Sequence, residues 1–281
     1  MRVGVVGCGL MGSGIAEVCA RAGLDVVVVE ADRQRVDSGR ERLTASLNRA
    51  QARGKIADAA AVLDRIRLGH DPAALADREL VVEAIAENEQ LKVEMFALID
   101  KIVEAPDAIL ATNTSSIPIM KIGVATARPA NVVGIHFFNP VPVLSLVEIV
   151  PSLLTSAETA AGAADFVQRL LGKHAITCQD RAGFVVNALL IPFVLSAIRM
   201  LESGFATAED IDQGLVRGAA HPQGPLALAD LIGLDTTQAV AVSLYEEFKE
   251  PLFAPPPLLN RMVDAGLLGR KTGRGFYTYD R

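Results

Sequence analysis

Val3-Gly4-Val5-Val6-Gly7-Cys8-Gly9-Leu10-Met11-Gly12-Ser13-Gly14 opens the chain, and the reading of this stretch decides the fold. Val3 to Val6 is an apolar, β-branched run, the pattern of a strand buried on both faces. Glycines follow at 7, 9 and 12 in the order G-x-G-x-x-G, and helical character begins over residues 13–22. In that context each glycine has a task. The first permits a tight turn, the second lets backbone amides approach a pyrophosphate, and the third lets the helix pack close to the strand. The helix N-terminus adds unpaired N–H groups and the positive end of a dipole.

Asp25 to Glu30 holds four consecutive valines and ends in an acid, 18 residues beyond Gly12, near the spacing of about 20 expected for the acid that binds ribose. A carboxylate there accepts hydrogen bonds from adenosine hydroxyls and repels a 2′-phosphate, which favours NAD over NADP. Arg33 and Arg35 close by weigh the other way. Gly7, Gly9, Leu10, Met11, Gly12 and Glu30 are therefore the candidate cofactor residues. The competing reading is a structural glycine turn beside a surface acid.

Working outward, further strand patterns fall at Glu79–Ile85, Ala108–Thr112, Asn131–Phe138 and Leu144–Val150, with another at Ile176–Cys178. Helical patterns cover 32–53 and 89–104 between them. Strands alternating with helices imply βαβ units and a mostly parallel sheet, a Rossmann-type α/β domain. From Gly183 the chain reads as helical almost throughout, and strand-like residues return only at Gly273–Tyr279. The expected division is an α/β domain over 1–182 and an all-helical domain over 183–281.

The 281 residues are about half hydrophobic and 21% charged, with a net charge of -6. That balance suits a globular protein and argues against a nucleic-acid track. No basic, apolar leader precedes the first strand, and no apolar run approaches the roughly 20 residues that cross a bilayer. The apolar segment Phe184–Ile198 carries Asn187 and Pro192 and reads as a buried or interface helix. Cys8, Cys19 and Cys178 form no CxxC pair. They read as free thiols in a reducing cytoplasm, and no metal site is expected.

His136 lies in Gly134-Ile-His-Phe-Phe-Asn-Pro-Val-Pro142, and Glu148 follows 12 residues later in an apolar run. A short reversal at Asn139–Pro142 could set them side by side. A buried Glu beside a His fixes its tautomer and stabilises the imidazolium, giving a general base for oxidising an alcohol as hydride leaves for NAD. Alone, each residue reads as a satisfied core His or an edge-strand charge. Thr112-Asn-Thr-Ser-Ser116 follows a buried strand and so falls at the carboxyl end of the sheet, where ligands bind. Ser115, Ser116 and Asn187 also have plain readings, as helix caps and an interhelical hydrogen bond.

With these residues in view, the chain resembles the L-3-hydroxyacyl-CoA dehydrogenase family, in its short bacterial form, from Val3 to Tyr279. The motifs are the glycine turn, Val82-Glu-Ala-Ile-Ala-Glu-Asn88, Thr112–Ser116, His136–Pro142, Gly183-Phe-Val-Val-Asn187, Gly233-Leu-Asp-Thr236 and Lys271-Thr-Gly-Arg-Gly-Phe-Tyr277. The resemblance implies His136 as catalytic base with Glu148 as partner, Ser115 bonded to the substrate oxygen, and Asn187 holding substrate and His. It implies Glu87, Lys92, Ser115, Asn139 and Lys271 around NAD, and coenzyme A on the helix and loop after the second strand. There the chain offers Ser46, Arg49, Arg53 and Lys55, cations suited to an anionic ADP group. Glu30 stands where many relatives have Asp, an exchange that keeps the carboxylate. The family also implies an active site in the interdomain cleft, a homodimer built through the helical domain, and a role in fatty acid and butanoate metabolism. Two other readings stay open. One is a dehydrogenase of a free hydroxy acid or sugar acid, and the other is a non-catalytic NAD-binding sensor or structural protein.

Overall fold

The computed structural model describes residues 1–280, and these divide into two compact units, Met1–Arg181 and the residues from Ala182 onward. The first unit runs β1 (Arg2–Val6), α1 (Leu10–Arg21), β2 (Asp25–Val29), α2 (Arg33–Ala52), α3 (Ala59–Leu63), β3 (Ile66–Gly69), β4 (Leu80–Glu83), α4 (Glu89–Ile102), β5 (Ile109–Thr112), α5 (Ile119–Gly123), β6 (Val132–Phe137), β7 (Leu146–Pro151), α6 (Ala157–Asp165) and β8 (His174–Thr177). These strands form one sheet in the order β3-β2-β1-β4-β5-β6-β7-β8. All neighbours pair in parallel except β6 with β7. The strand order reverses between β1 and β4, and such switch points open a crevice at the carboxyl ends of strands.

The valines of β1 and the unbroken valine run of β2 are buried because helices cover both faces of the sheet. Val3, Val5, Val26, Val28 and Ile15 join one core with Leu43 and Leu47 of α2. Helix α1 starts at Leu10, three residues earlier than its sequence pattern suggested, so Gly9 is its N-cap and Gly12 lies in its first turn. Glycine is a poor helix former, and close packing against the strand overrides that preference here. Strand β3 had no sequence signal, since it is four residues long, half-buried and at the sheet edge.

Arg128 fastens the helical layer. Its guanidinium donates to the Asp100 carboxylate at 2.7 Å and to the carbonyls of Ala105, Asp100 and Val103 at 2.6, 2.6 and 2.7 Å. The backbone N–H of Ala127 donates to the same carboxylate at 2.7 Å. Burial pushes the Asp100 pKa up, but the Ala127 and Arg128 hydrogen bonds outweigh it and hold the carboxyl below its usual range.

The second unit comprises α7 (Val186–Glu202), α8 (Ala208–Gly218), α9 (Pro225–Ile232), α10 (Leu234–Phe248) and α11 (Pro257–Asp264). Its core gathers Ile191, Val194, Leu195, Leu226, Ala241 and Leu259. The strand-like tail Gly273–Tyr279 makes only isolated bridges, Gly269 with Arg274 and Arg274 with Thr278. Buried carboxylates organise it instead. Asp230 accepts from the N–H groups of Phe276 and Tyr277 at 3.0 Å each and from the Tyr279 hydroxyl at 2.9 Å. Burial and that bond push the Tyr279 phenol up to about 12. No single described helix is long and apolar enough to cross a membrane.

Replacing Arg128 with Met should cost about 3 kcal/mol, because a mostly buried carboxylate and three carbonyls lose their donor. Urea unfolding will measure it. A carboxyl with a lowered folded pKa stabilises fully above its unfolded value and loses that contribution as pH falls through the folded one. The penalty should therefore shrink in acid as Asp100 protonates in both proteins.

Candidate active site

The candidate nucleotide cradle is built from the carboxyl ends of β1, β2 and β4. Gly7 has φ +91°, and a Cβ there would meet the Ala84 carbonyl oxygen at 2.8 Å. A Cβ on Gly12 would lie 1.9 Å from the Gly7 carbonyl oxygen, whereas one on Gly9 would meet nothing within 4 Å. The backbone at Gly9 thus faces open space at the start of α1, flanked by exposed Leu10 and half-buried Met11. Beside it is a cavity of about 530 Å³ whose wall includes Gly7, Gly9, Glu30, Leu91, Met95 and Leu98.

Glu30 braces this cradle. One oxygen accepts from the Cys8 N–H at 2.5 Å and the other from Ala31 at 3.0 Å. Arg42 donates to the Cys8 carbonyl at 2.6 Å. A carboxylate has about four lone-pair sites, so Glu30 keeps accepting capacity at the cavity wall. Arg35 also lines the cavity, and its Nε lies 3.5 Å from Asp32. Open space over Gly9, an apolar cavity and a wall carboxylate together fit a dinucleotide.

The loop after β5 hangs from Glu87. One Glu87 oxygen accepts from the Thr114 hydroxyl at 2.6 Å, the Ser115 and Ser116 N–H groups at 2.9 and 3.2 Å, and the Ser116 hydroxyl at 3.0 Å. The Ser115 hydroxyl is 3.4 Å from the same oxygen. Burial pushes the Glu87 pKa up, yet the Lys92 ammonium and these donors outweigh it and lower it overall. Lys92 is itself buried, with its Nζ 2.6 Å from Glu83 and 3.4 Å from Glu87. Farther along the chain, the N–H groups of Ile119 and Met120 donate at 2.9 Å each to Asp180, which follows β8 and caps α5.

Strands β6 and β7 bring His136 and Glu148 opposite each other in antiparallel register. His136 Nδ1 lies 2.7 Å from Glu148 Oε2, with Glu148 fully buried and His136 6% exposed. A neutral ring beside an ionised carboxylate, which only accepts, has its proton on Nδ1 and its lone pair on Nε2. Phe138 packs its ring 4.6 Å from the imidazole. The Asn113 side chain accepts from the Phe137 N–H at 2.9 Å, tying the β5 loop to the residue after His136. Asn139 is exposed where the chain leaves β6, joined to Pro140 by a cis peptide bond.

In the helical unit, Asn187 is half-buried in the first turn of α7. Lys271 Nζ pairs with both oxygens of Asp235, at 2.5 and 2.6 Å. Back in the first unit, half-buried Ser46 and exposed Arg49 and Arg53 follow helical spacing at the end of α2, and exposed Lys55 lies just beyond. Among the described residues these three cations have no ion-pair partner, and no group of three or more His, Cys, Asp or Glu could hold a metal ion.

Residues 2–181 match the pattern described as "3-hydroxyacyl-CoA dehydrogenase, NAD binding domain", and residues 183–279 match that of "3-hydroxyacyl-CoA dehydrogenase, C-terminal domain". The chain belongs to the 3-hydroxyacyl-CoA dehydrogenase family. The dehydrogenase is 55% identical over 280 residues to the 3-hydroxybutyryl-CoA dehydrogenase of Mycobacterium tuberculosis, covering 99% of this chain and 98% of that one. Among solved structures it is similar to FadB2 of M. tuberculosis, with a TM-score of 0.98, 55% identity and 99% coverage of both chains. It is also similar to the (S)-3-hydroxybutyryl-CoA dehydrogenase PaaH1 of Ralstonia eutropha, with a TM-score of 0.94, 45% identity and coverage of 100% and 99%. It is thus an oxidoreductase, an NAD(H)-dependent hydroxyacyl-CoA dehydrogenase.

Three residues of this dehydrogenase's site carried no assigned role from sequence. Glu83 lies inside the strand pattern Glu79–Ile85 and the motif Val82–Asn88 without a role, and only α4 and β5 bring its partners Lys92 and Thr112. Asn113 and Thr114 lie inside the Thr-Asn-Thr-Ser-Ser motif, which marked the loop without dividing the work among its members.

Burial, and for Cys8 also the Glu30 charge, pushes the thiols of Cys8 and Cys19 up to about 12. Ellman's reagent at pH 8 should therefore modify at most one thiol per native chain, Cys178, and all three after denaturation.

Proposed function

We propose that the enzyme interconverts (S)-3-hydroxybutyryl-CoA and acetoacetyl-CoA, with NAD preferred to NADP. The buried His136–Glu148 contact of 2.7 Å carries this reading. A bound nicotinamide supplies the hydride acceptor for the carbon that bears the hydroxyl. His136 takes the hydroxyl proton at Nε2, and in reduction the imidazolium returns it to the forming alkoxide. Glu148 holds the ring in the tautomer that leaves Nε2 basic and offsets the positive charge of the protonated ring.

Ser115 donates a hydrogen bond to the substrate oxygen, and Asn187 helps to hold the substrate. Glu30 accepts from the adenosine ribose. Its charge, which a 2′-phosphate would oppose, supports the preference for NAD. Glu87, Lys92, Asn139 and Lys271 complete the cofactor set, with Lys92 acting from beneath Glu87. Ser46, Arg49, Arg53 and Lys55 meet the anionic ADP end of coenzyme A. The similarity to 3-hydroxybutyryl-CoA dehydrogenases supports the four-carbon substrate. We assign the enzyme to the cytoplasm, as a homodimer through its helical unit.

Steady-state assays should give the highest kcat/KM for NADH with acetoacetyl-CoA, ahead of NADPH and of longer 3-ketoacyl-CoA substrates. Activity on free acetoacetate equal to that on the thioester would overturn the coenzyme A assignment. His136→Ala should lower kcat by about 10³-fold, within the usual range for removing a general acid/base. Unimpaired turnover would refute the mechanism. Reversing charge at Arg49 and Arg53 should raise KM for acetoacetyl-CoA and leave KM for NADH unchanged.

A further inference from the structure

A closed ring of polar contacts lies beneath the Ser115 loop. Glu83, the last residue of β4, is fully buried and presents one oxygen to Lys92 Nζ at 2.6 Å. Lys92 reaches the second oxygen of Glu87 at 3.4 Å. Glu87 accepts from the Thr114 hydroxyl at 2.6 Å, the Thr114 N–H donates to the Thr112 hydroxyl at 3.2 Å, and Thr112 donates to the other Glu83 oxygen at 2.7 Å. The Ile85 N–H also donates to Glu83 at 2.7 Å. Ser115 and Ser116 hang from the ring through Glu87.

A buried ion pair is a weak source of stability, because desolvating two charges offsets their attraction, and apolar side chains of similar volume often do as well. Its value here is positional. Lys92 is shared between two carboxylates, so the Glu83 charge decides how hard Lys92 pulls on Glu87. Glu87 in turn decides where the Ser115 N–H and hydroxyl sit. We propose that Glu83 is a positioning residue, which acts through Lys92–Glu87 and Thr112–Thr114 to hold Ser115 in its productive place. This rests on the hydroxyacyl-CoA dehydrogenase reading, in which Ser115 bonds the substrate oxygen.

The decisive variant is Glu83→Gln, which removes the charge and keeps the shape. Lys92 should swing to Glu87 and loosen the loop. Three readouts follow. Amide hydrogen exchange in a peptide spanning 113–117 should accelerate while core strands stay protected. The kcat for acetoacetyl-CoA with NADH should fall, by up to about 10²-fold for a misplacement of about 1 Å, and KM for NADH should rise with it, because Lys92 and Glu87 belong to the cofactor set. In a Ser115→Ala background, Glu83→Gln should have little further effect on kcat, since residues acting as a unit are non-additive. Thr112→Val cuts another edge of the ring without removing a charge and should act in the same direction, and Thr112→Ser should restore wild-type kcat. These two keep the question answerable if Glu83→Gln does not fold.

Unchanged loop exchange, a normal kcat, or fully additive losses with Ser115→Ala would overturn the positioning role. A purely structural Glu83 would lower the melting temperature and leave kcat of the folded enzyme intact. Failure of the underlying reading looks different. The loop would loosen in Glu83→Gln as expected, but the wild-type enzyme would not turn over acetoacetyl-CoA.

Discussion

Helix α1 can lie against the glycine turn only because nothing projects from Gly12. With its Cβ position 1.9 Å from the Gly7 carbonyl oxygen, any side chain would prise helix from strand. Much of the first unit follows from that approach. It sets the helix N-terminus at the carboxyl edge of the sheet, leaves the Gly9 backbone facing open space, and lets Glu30 reach across to the Cys8 N–H. The dinucleotide cradle is therefore a consequence of backbone proximity, which only glycine permits.

The proposed chemistry depends on a different feature, the one antiparallel pairing in the sheet. A parallel partner for β6 would need a long crossover, whereas an antiparallel one follows a short reversal. That reversal sets Glu148 opposite His136 and buries both at a strand pair with fixed register. Slipping the pairing by one residue would turn Glu148 to the other face. The Asn113 bond to Phe137 then links this pair to the Ser115 loop on the neighbouring strand. The two halves of the proposed mechanism are thus locked by backbone contacts rather than by flexible side chains alone.

Features set by local pattern were legible in sequence. The glycines are spaced for one turn, the valines of β1 and β2 demand burial, and His136 and Glu148 flank a proline-rich turn. Features that depend on distant neighbours were not. Glu83 is one acid inside an apolar strand pattern until Lys92 and Thr112 arrive from other elements. Strand β3 is too short and too exposed to announce itself, and it pairs only because β2 offers an edge. The tail after Gly273 carries aromatic, strand-like residues, but Asp230 satisfies its N–H groups before any second strand can. In each case tertiary hydrogen bonding overrides a local preference that was read correctly as local.

Asp180 gives the link between the units a second duty. Its carboxylate receives the N–H groups of Ile119 and Met120, so the last residues of the first unit close the helix that follows the Ser115 loop. Anyone cutting the chain to graft either half onto another protein therefore faces an asymmetric seam. A break before Asp180 leaves α5 without its cap, while a break after Arg181 keeps the serine loop's own scaffold whole.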